Sequence, residues 1–320
     1  MKKLYERNIK NFFGPDRTSH IPNTLNVELT NACNLRCPMC PNPYMKRKRG
    51  MMDIKIYKDI LDEAVELGVK QVGLFATGES LLHPRVGDFV ALTKRKRVYT
   101  YITANGAKMG PGLHEDLIDA GLDSMKFSID AHNQEIYSKV RPGGQIETVF
   151  ENLRKMDRLR KEKKSNMQLH VLYTISGENE QYVEDFKKIV GPYVDDIQYF
   201  ASLSISQGAG KEVTTSLRSE RVAAIIEKHR KKSVCPNPWN RLSISWEGYL
   251  MACCLDFELD LAYAKYEKGR LKEHWNNSGI NDIRESLLNH DQTKYLVCAK
   301  CDATNYDLPA LSKEIDELYR

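Results

Sequence analysis

No apolar stretch of the roughly 18 residues needed to cross a bilayer occurs anywhere in this 320-residue chain. The N-terminus, MKKLYERNIKNFFGPDR, opens with Lys2 and Lys3 but has no apolar run behind them, so it does not read as a secretory signal peptide. Cysteine is too sparse for a disulfide scaffold, with eight in the whole chain and none between Cys40 and Cys235. The expected compartment is therefore the reducing cytoplasm, with no membrane partner. The short basic runs Lys46–Arg49, Lys94–Arg97 and Lys161–Lys164 lack interleaved aromatics that would stack on bases. They read as solvated faces, and a nucleic-acid partner is not favoured. No internal repeat or low-complexity tract is present. What remains is cysteine bunched at two places, a pattern that metal binding explains and cross-linking does not.

Between Leu25 and Phe200 short β-rich runs alternate with amphipathic stretches. The expected strands are Leu25–Thr30, Gln71–Phe75, Val98–Thr103, Ser124–Ile129, Gln168–Ile175 and Asp196–Phe200. The expected helices are Ile54–Leu67, Arg85–Lys96, Leu113–Ala120, Ile146–Lys163 and Gln181–Val190. Gly68, Gly121 and Gly191 end helices and are expected in the left-handed cap conformation. Such repetition predicts an α/β fold with parallel strands, and six units make a partial, open barrel rather than a closed eight-fold one. Beyond Phe200, the polar Ser202–Ser216 reads as a connection and Arg218–Lys232 as a bridging helix. Leu242–Cys253 reads as a hairpin turning at Glu247-Gly248.

Cys33, Cys37 and Cys40 follow the first strand at C-x3-C-x2-C spacing. In parallel α/β arrays ligands bind at the carboxyl ends of strands, so a cofactor belongs there. Three thiolates can hold three irons of a 4Fe–4S cluster and leave the fourth open to a small molecule. Zinc would need a fourth ligand nearby, and neither Cys nor His recurs before His83.

This triplet resembles the signature of the radical S-adenosylmethionine (radical SAM) superfamily, which implies a partial (β/α)6 barrel. Thr77-Gly78-Glu79-Ser80 resembles the family's GGEP motif, implying that Gly78, Glu79 and Ser80 receive the methionine amino group. Asn105 in Thr103–Gly106, Ser128 and Asp130 in Phe127–Asp130, and Arg141 in Lys139–Gly144 match further SAM-contact motifs in order. Thr77 stands where the first glycine is usual, and Met39 where an aromatic is usual.

The second set is Cys235, the pair Cys253-Cys254, and the pair Cys298 and Cys301. With Gly248–Cys253 as a G-x4-C unit, it resembles the SPASM auxiliary-cluster domain in its shortened, twitch form. Cys235, Cys253, Cys298 and Cys301 would then ligate a second 4Fe–4S cluster, although the same spacing also suits structural zinc. The expected organisation is an extension (1–22), the radical SAM barrel (23–201), a linker and bridging helix (202–232), a small irregular α+β SPASM/twitch domain (233–305) and a C-terminal helix (306–320). Cys254 is left over. Successive strand residues point to opposite faces, so it faces away from the cluster that Cys253 serves. It is then a buried apolar side chain, an alternative cluster ligand, or a thiol donating a hydrogen atom to a substrate radical.

The resemblance implies reductive cleavage of S-adenosylmethionine to a 5′-deoxyadenosyl radical, with a flavodoxin or ferredoxin as reductant. It further implies hydrogen abstraction from a small polar molecule, of carbohydrate or aminocyclitol type, giving oxidation or, with Cys254 as donor, epimerisation. The alternative is modification of a ribosomal peptide. Only about two dozen residues precede the barrel, fewer than a peptide-recognition domain needs.

Overall fold

The computed structural model describes residues 21–202, 218–299 and 301–320. Six parallel strands lie side by side in chain order: β1 (Thr24–Val27), β2 (Gln71–Gly73), β3 (Tyr99–Ala104), β4 (Ser124–Ser128), β5 (Gln168–Ile175) and β6 (Asp196–Ala201). The crossovers are α1 (Ile54–Leu67), α2 (Val86–Arg95), α3 (Leu113–Asp119), α4 (Gln134–Val140), α5 (Ile146–Glu162) and α6 (Val183–Val190). Alternation along each strand divides the residues between two environments. Leu25, Val27, Ile102, Met125, Phe127, Leu169 and Val171 enter the sheet–helix core, while Asn26, Tyr101, Lys126, Ser128 and His170 take the opposite parity and face the barrel interior.

Helix α1 shows how local sequence sets its ends. The Asp53 side chain accepts hydrogen bonds from the Lys55 and Ile56 amides, and Gly68 closes the helix at φ +108°. Gly121 also has positive φ, but Gly191 does not. At φ −52° it continues into a 3-10 turn through Pro192, because the chain keeps turning right-handed before β6. Among the described residues, two helices longer than four residues went unanticipated: α4, capped by Asn133, and Ser278–Leu288, capped by Asn277. Both are short amphipathic segments whose few apolar positions gave little periodic signal.

The C-terminal part is not a separate layer. Strand β7 (Arg241–Ile244) lies parallel to β1, and β8 (Tyr249–Met251) and β9 (Ala262–Lys265) continue antiparallel, making one nine-stranded sheet. The hairpin turns at Gly248, φ +88°, as its sequence requires. Helix α7 (Glu220–Lys228) is shorter than the expected bridging helix, because the chain leaves helical geometry at His229. Of the short helices, α8 (Asn237–Asn240) packs against α10 (Ser278–Leu288), α9 (Leu271–His274) against α1, and α11 (Leu296–Ala299) against α12 (Asp302–Asn305). The last helix, α13 (Leu308–Tyr319), is capped by Asp307 and lies against β6. Among the described residues no helix is long and apolar enough to cross a membrane. The expected connection Ser202–Ser216 falls almost wholly outside the described residues, as does most of the 1–22 extension.

Within the run Lys46–Arg49, whose other members are exposed, Arg47 departs from the expected solvated face. Arg47 is 6% exposed and its guanidinium reaches Glu28, fully buried at the end of β1, at 2.8 Å, as well as Glu247 on the hairpin. Glu28 also accepts from the Trp246 amide at 3.2 Å and from the Thr77 hydroxyl. The run is pinned there because a buried carboxylate needs a cation and several donors. Arg47→Ala, leaving Glu28 buried without its cation, should lower the unfolding free energy by about 3–5 kcal/mol. Anaerobic denaturant titration of the two proteins measures this.

Candidate iron–sulfur and S-adenosylmethionine site

The cysteine loop leaves β1 at its carboxyl end and returns at Asp53, before α1. Its shape is held by its own polar side chains. Asn31 donates to the Lys48 carbonyl at 2.9 Å and accepts from the Gly50 amide at 3.0 Å, and Thr30 donates to the Gly50 carbonyl at 2.6 Å. Asn42 donates to the carbonyls of Asn31 and Thr77, and Arg49 donates to those of Asn31 and Asn42. These residues carry no motif that would have singled them out, since their importance lies in closing a loop whose ends are set by the fold.

Cys33, Cys37 and Cys40 are brought close enough to feel one another's charge. Burial pushes Cys33 up to about 11, Cys40 up to about 12, and raises Cys37 as well. Thiolates there require a metal to displace their protons. The Asn105 amide lies 3.8 Å from the Cys33 sulfur, and the Arg141 guanidinium faces Cys37. The donor set therefore fits an iron–sulfur cluster.

The second strand contributes Gly78, where a Cβ would stand 2.2 Å from the Thr30 carbonyl oxygen. Only glycine lets this turn lie against the cysteine loop, where the Glu79 amide donates to the Ala32 carbonyl at 2.8 Å. The Glu79 carboxylate accepts from the Leu81 and Asn105 amides at 3.1 and 2.7 Å, and burial pushes its pKa up to about 7. Ser80 is buried beside it at the start of a 3-10 turn. Thr77 is accounted for by its bond to Glu28: its hydroxyl does a job that glycine leaves undone.

Ser128 ends β4 half-buried on the inner face. Asp130 is fully buried at φ +61° and pairs with Arg141 at 2.6 Å, also accepting from the Thr174 amide at 2.6 Å. Asn179 holds that turn by donating to the Asp130 and Thr174 carbonyls. Arg141 thus links Asp130 to the Cys37 side of the loop. Gly143, φ +106°, lets the following turn sit on the Asn34–Leu35 backbone, and the Arg36 amide donates to the Pro142 carbonyl.

The other four cysteines meet at a second place. Cys235, Cys253, Cys298 and Cys301 line one cavity whose remaining wall includes Pro238, Ala252, Leu261, Ile283 and Val297. The Cys253 sulfur accepts from the Leu255 amide at 3.4 Å and lies 3.9 Å from the Asn237 amide nitrogen. Among the described residues no three Cys, His, Asp or Glu side chains converge on a point suited to a single metal ion. A 4Fe–4S cluster would take one thiolate on each iron, whereas zinc would draw all four sulfurs to about 2.3 Å of one atom. Cys254 is buried in the turn that follows β8, beside Asn26 and within the influence of Arg241 and Tyr101; because the chain has left the strand, its thiol does not face away from Cys253, as strand alternation would have it, but hydrogen-bonds to it.

A family model described as the radical SAM superfamily matches residues 27–190, more than half of the chain. The chain belongs to the radical SAM superfamily. The model for SPASM, an iron–sulfur cluster-binding domain, matches residues 235–302. Together the two domains imply 4Fe–4S clusters and S-adenosylmethionine binding in this radical SAM protein. Over 288 residues it is 24% identical to the tungsten-containing aldehyde ferredoxin oxidoreductase cofactor-modifying protein of Pyrococcus furiosus, covering 82% of this chain and 79% of that one. Identity to the PqqA peptide cyclase of Gluconobacter oxydans is 35% over 108 residues, 33% of this chain and 30% of the cyclase. Streptococcus suis SuiB bound to its precursor peptide SuiA shares the fold, with a TM-score of 0.66 at 14% identity, over 95% of this chain and 73% of SuiB.

If two separate clusters are held as the geometry indicates, replacing Cys298 and Cys301 together by Ala should about halve the iron of anaerobically reconstituted protein. Iron and sulfide analysis reads this directly. A full complement in the double variant would contradict the second site.

Proposed function

We propose that this radical SAM enzyme acts on a carbon of a small polar molecule, of carbohydrate or aminocyclitol type, by oxidation or stereoinversion. The observation that carries the reading is that Cys253 lines the cavity of the second cysteine set while Cys254, hydrogen-bonded to it, is buried outside that lining beside Asn26 and Tyr101. A cluster on Cys33, Cys37 and Cys40 supplies the electron that cleaves S-adenosylmethionine into methionine and a 5′-deoxyadenosyl radical, which abstracts hydrogen from a substrate carbon. Gly78, Glu79 and Ser80 bind the methionine amino end, and Asn105, Ser128, Asp130 and Arg141 orient the rest. Glu79 does so as a carboxylate in a dry setting, where its attraction for an ammonium is strengthened. Arg141 is fixed by Asp130, so its remaining N–H groups are pre-aimed.

Stereoinversion needs a hydrogen atom returned from the face opposite the abstraction. Cys254 donates it from S–H to the carbon radical, and the resulting sulfur radical is reduced by an electron and a proton. For oxidation, Cys235, Cys253, Cys298 and Cys301 would hold the group that takes one electron from a carbon radical beside an OH or NH, and the proton released from that OH or NH would pass to solvent. A flavodoxin or ferredoxin serves as the electron source. The barrel spans 23–201 and the shortened auxiliary domain 233–305, joined through 202–232. The name of the Pyrococcus furiosus relative, a cofactor-modifying protein matched over most of both chains, supports a non-peptide target.

A second reading, epimerisation or cross-linking of a ribosomal peptide, is supported by local identity to the PqqA peptide cyclases. Anaerobic turnover in deuterated water tests the choice. The expected result is deuterium at an inverted carbon, lost in Cys254→Ala while 5′-deoxyadenosine still forms. A ketone product with undiminished turnover in Cys254→Ala would assign oxidation and remove the donor role.

A further inference from the structure

The strand register places two inward rows of side chains across the barrel. The lower row runs Ser243, Asn26, Gly73, Tyr101 from β7 to β3. The upper row runs Thr103, Lys126, His170, Asp196 from β3 to β6. Lys126 lies two residues before Ser128 on β4, about 6–7 Å below the rim where the cysteine loop sits.

The charges of these rows do not balance. The Lys126 ammonium stands over the Tyr101 ring at 5.6 Å, and among the described residues it has neither an ion pair nor a hydrogen bond. Arg241 repels it through space, and Asp196 attracts it more weakly without pairing to it. The acid in the row, Asp196, is engaged by Arg320 at 3.2 Å and by Gln198. An ammonium withdrawn from water costs several kcal/mol when nothing compensates it. A second observation concerns neutral groups in the same chamber. The Asn26 amide lies against the Cys254 thiol, and the Ser243 hydroxyl on β7 and His170 Nδ1 on β5 are buried without partners. Buried polar atoms are almost always satisfied, so orphans along the inner face point to a polar ligand. Gly73 leaves room for the Tyr101 ring, from which a Cβ there would stand 2.8 Å.

We propose that Lys126, with Arg241, forms an anion-binding floor in the barrel interior that takes a carboxylate or phosphate group of the substrate. This rests on the reading of the interior as the substrate chamber and narrows the substrate class to an anionic polar molecule. Anchored there, a small molecule presents its next carbons to the rim above, with the Cys254 thiol at its side. Charge-assisted hydrogen bonds from Lys and Arg give such an anchor both strength and direction.

The test titrates inorganic phosphate and, separately, acetate into anaerobically reconstituted holoenzyme at low salt, followed by calorimetry. One anion is expected to bind with millimolar affinity, weakened at least about tenfold in Lys126→Met and Lys126→Gln and within about threefold of wild type in Lys126→Arg. Tighter phosphate assigns a phosphoryl group, and tighter acetate a carboxylate. Iron content and thermal midpoint confirm that each variant is folded. Equal affinity in wild type and the neutral variants, or no binding of either anion by wild type, overturns the proposal. Formation of 5′-deoxyadenosine under reduction is assayed on the same preparations. Its absence would refute the radical reading without touching the anion measurement, which involves no turnover.

Discussion

A single buried carboxylate organises the catalytic end of the barrel. Glu28 terminates β1 with no exposure to solvent, and the groups that compensate it come from three directions: Arg47 from the far limb of the cysteine loop, Thr77 from the turn after β2, and the Trp246 amide from the β7–β8 hairpin. Arg47 then reaches on to Glu247. A lone carboxylate at that depth would be prohibitively costly, so the loop, the Gly78-Glu79 turn and the hairpin are obliged to meet around it. The cysteine loop is thereby closed, the Glu79 turn is held beside it, and the C-terminal strands are seated on the edge of β1. One ion pair thus couples the site on the barrel rim to the domain that carries the second set of thiols.

That coupling has a chemical consequence. Because β7 extends the barrel sheet instead of folding apart from it, the β8 strand and the Cys253-Cys254 pair that follows are placed along the barrel wall. One thiol lines the apolar cavity that gathers Cys235, Cys298 and Cys301, and its neighbour, hydrogen-bonded to it in the turn after β8, lies beside Asn26 and Tyr101. Under the proposed function, the electron acceptor and the hydrogen donor are one peptide unit apart, and the substrate's own functional groups decide between oxidation and inversion.

Much of this organisation was legible in the order of residues. Strong periodicity located six strands and five of the crossover helices, with α1 matching from Ile54 to Leu67 because Asp53 and Gly68 signal its two ends locally. The sequence spacing divided seven cysteines into two sets, and each set comes together in space, one in the loop after β1 and one around a cavity. The failures share a cause. Arg47 looked like a surface charge because its partners lie 19 and 200 residues away. Gly191 looked like a left-handed cap because the path of the chain beyond it was unknown. Lys126 was unremarkable within an ordinary strand, and only its neighbours on β3, β5 and β7 make it conspicuous.

By itself, then, the sequence determined the family, the cluster chemistry and the alternation that builds the barrel, because each depends on contacts close in the chain or on motif spacing. The tertiary structure alone decided that β7 completes the sheet along β1, that Glu28 and Arg47 lock three segments together, and that an unpaired ammonium looks into the chamber. Those are facts about desolvation and charge balance. They exist only once distant residues share the same water-excluded volume.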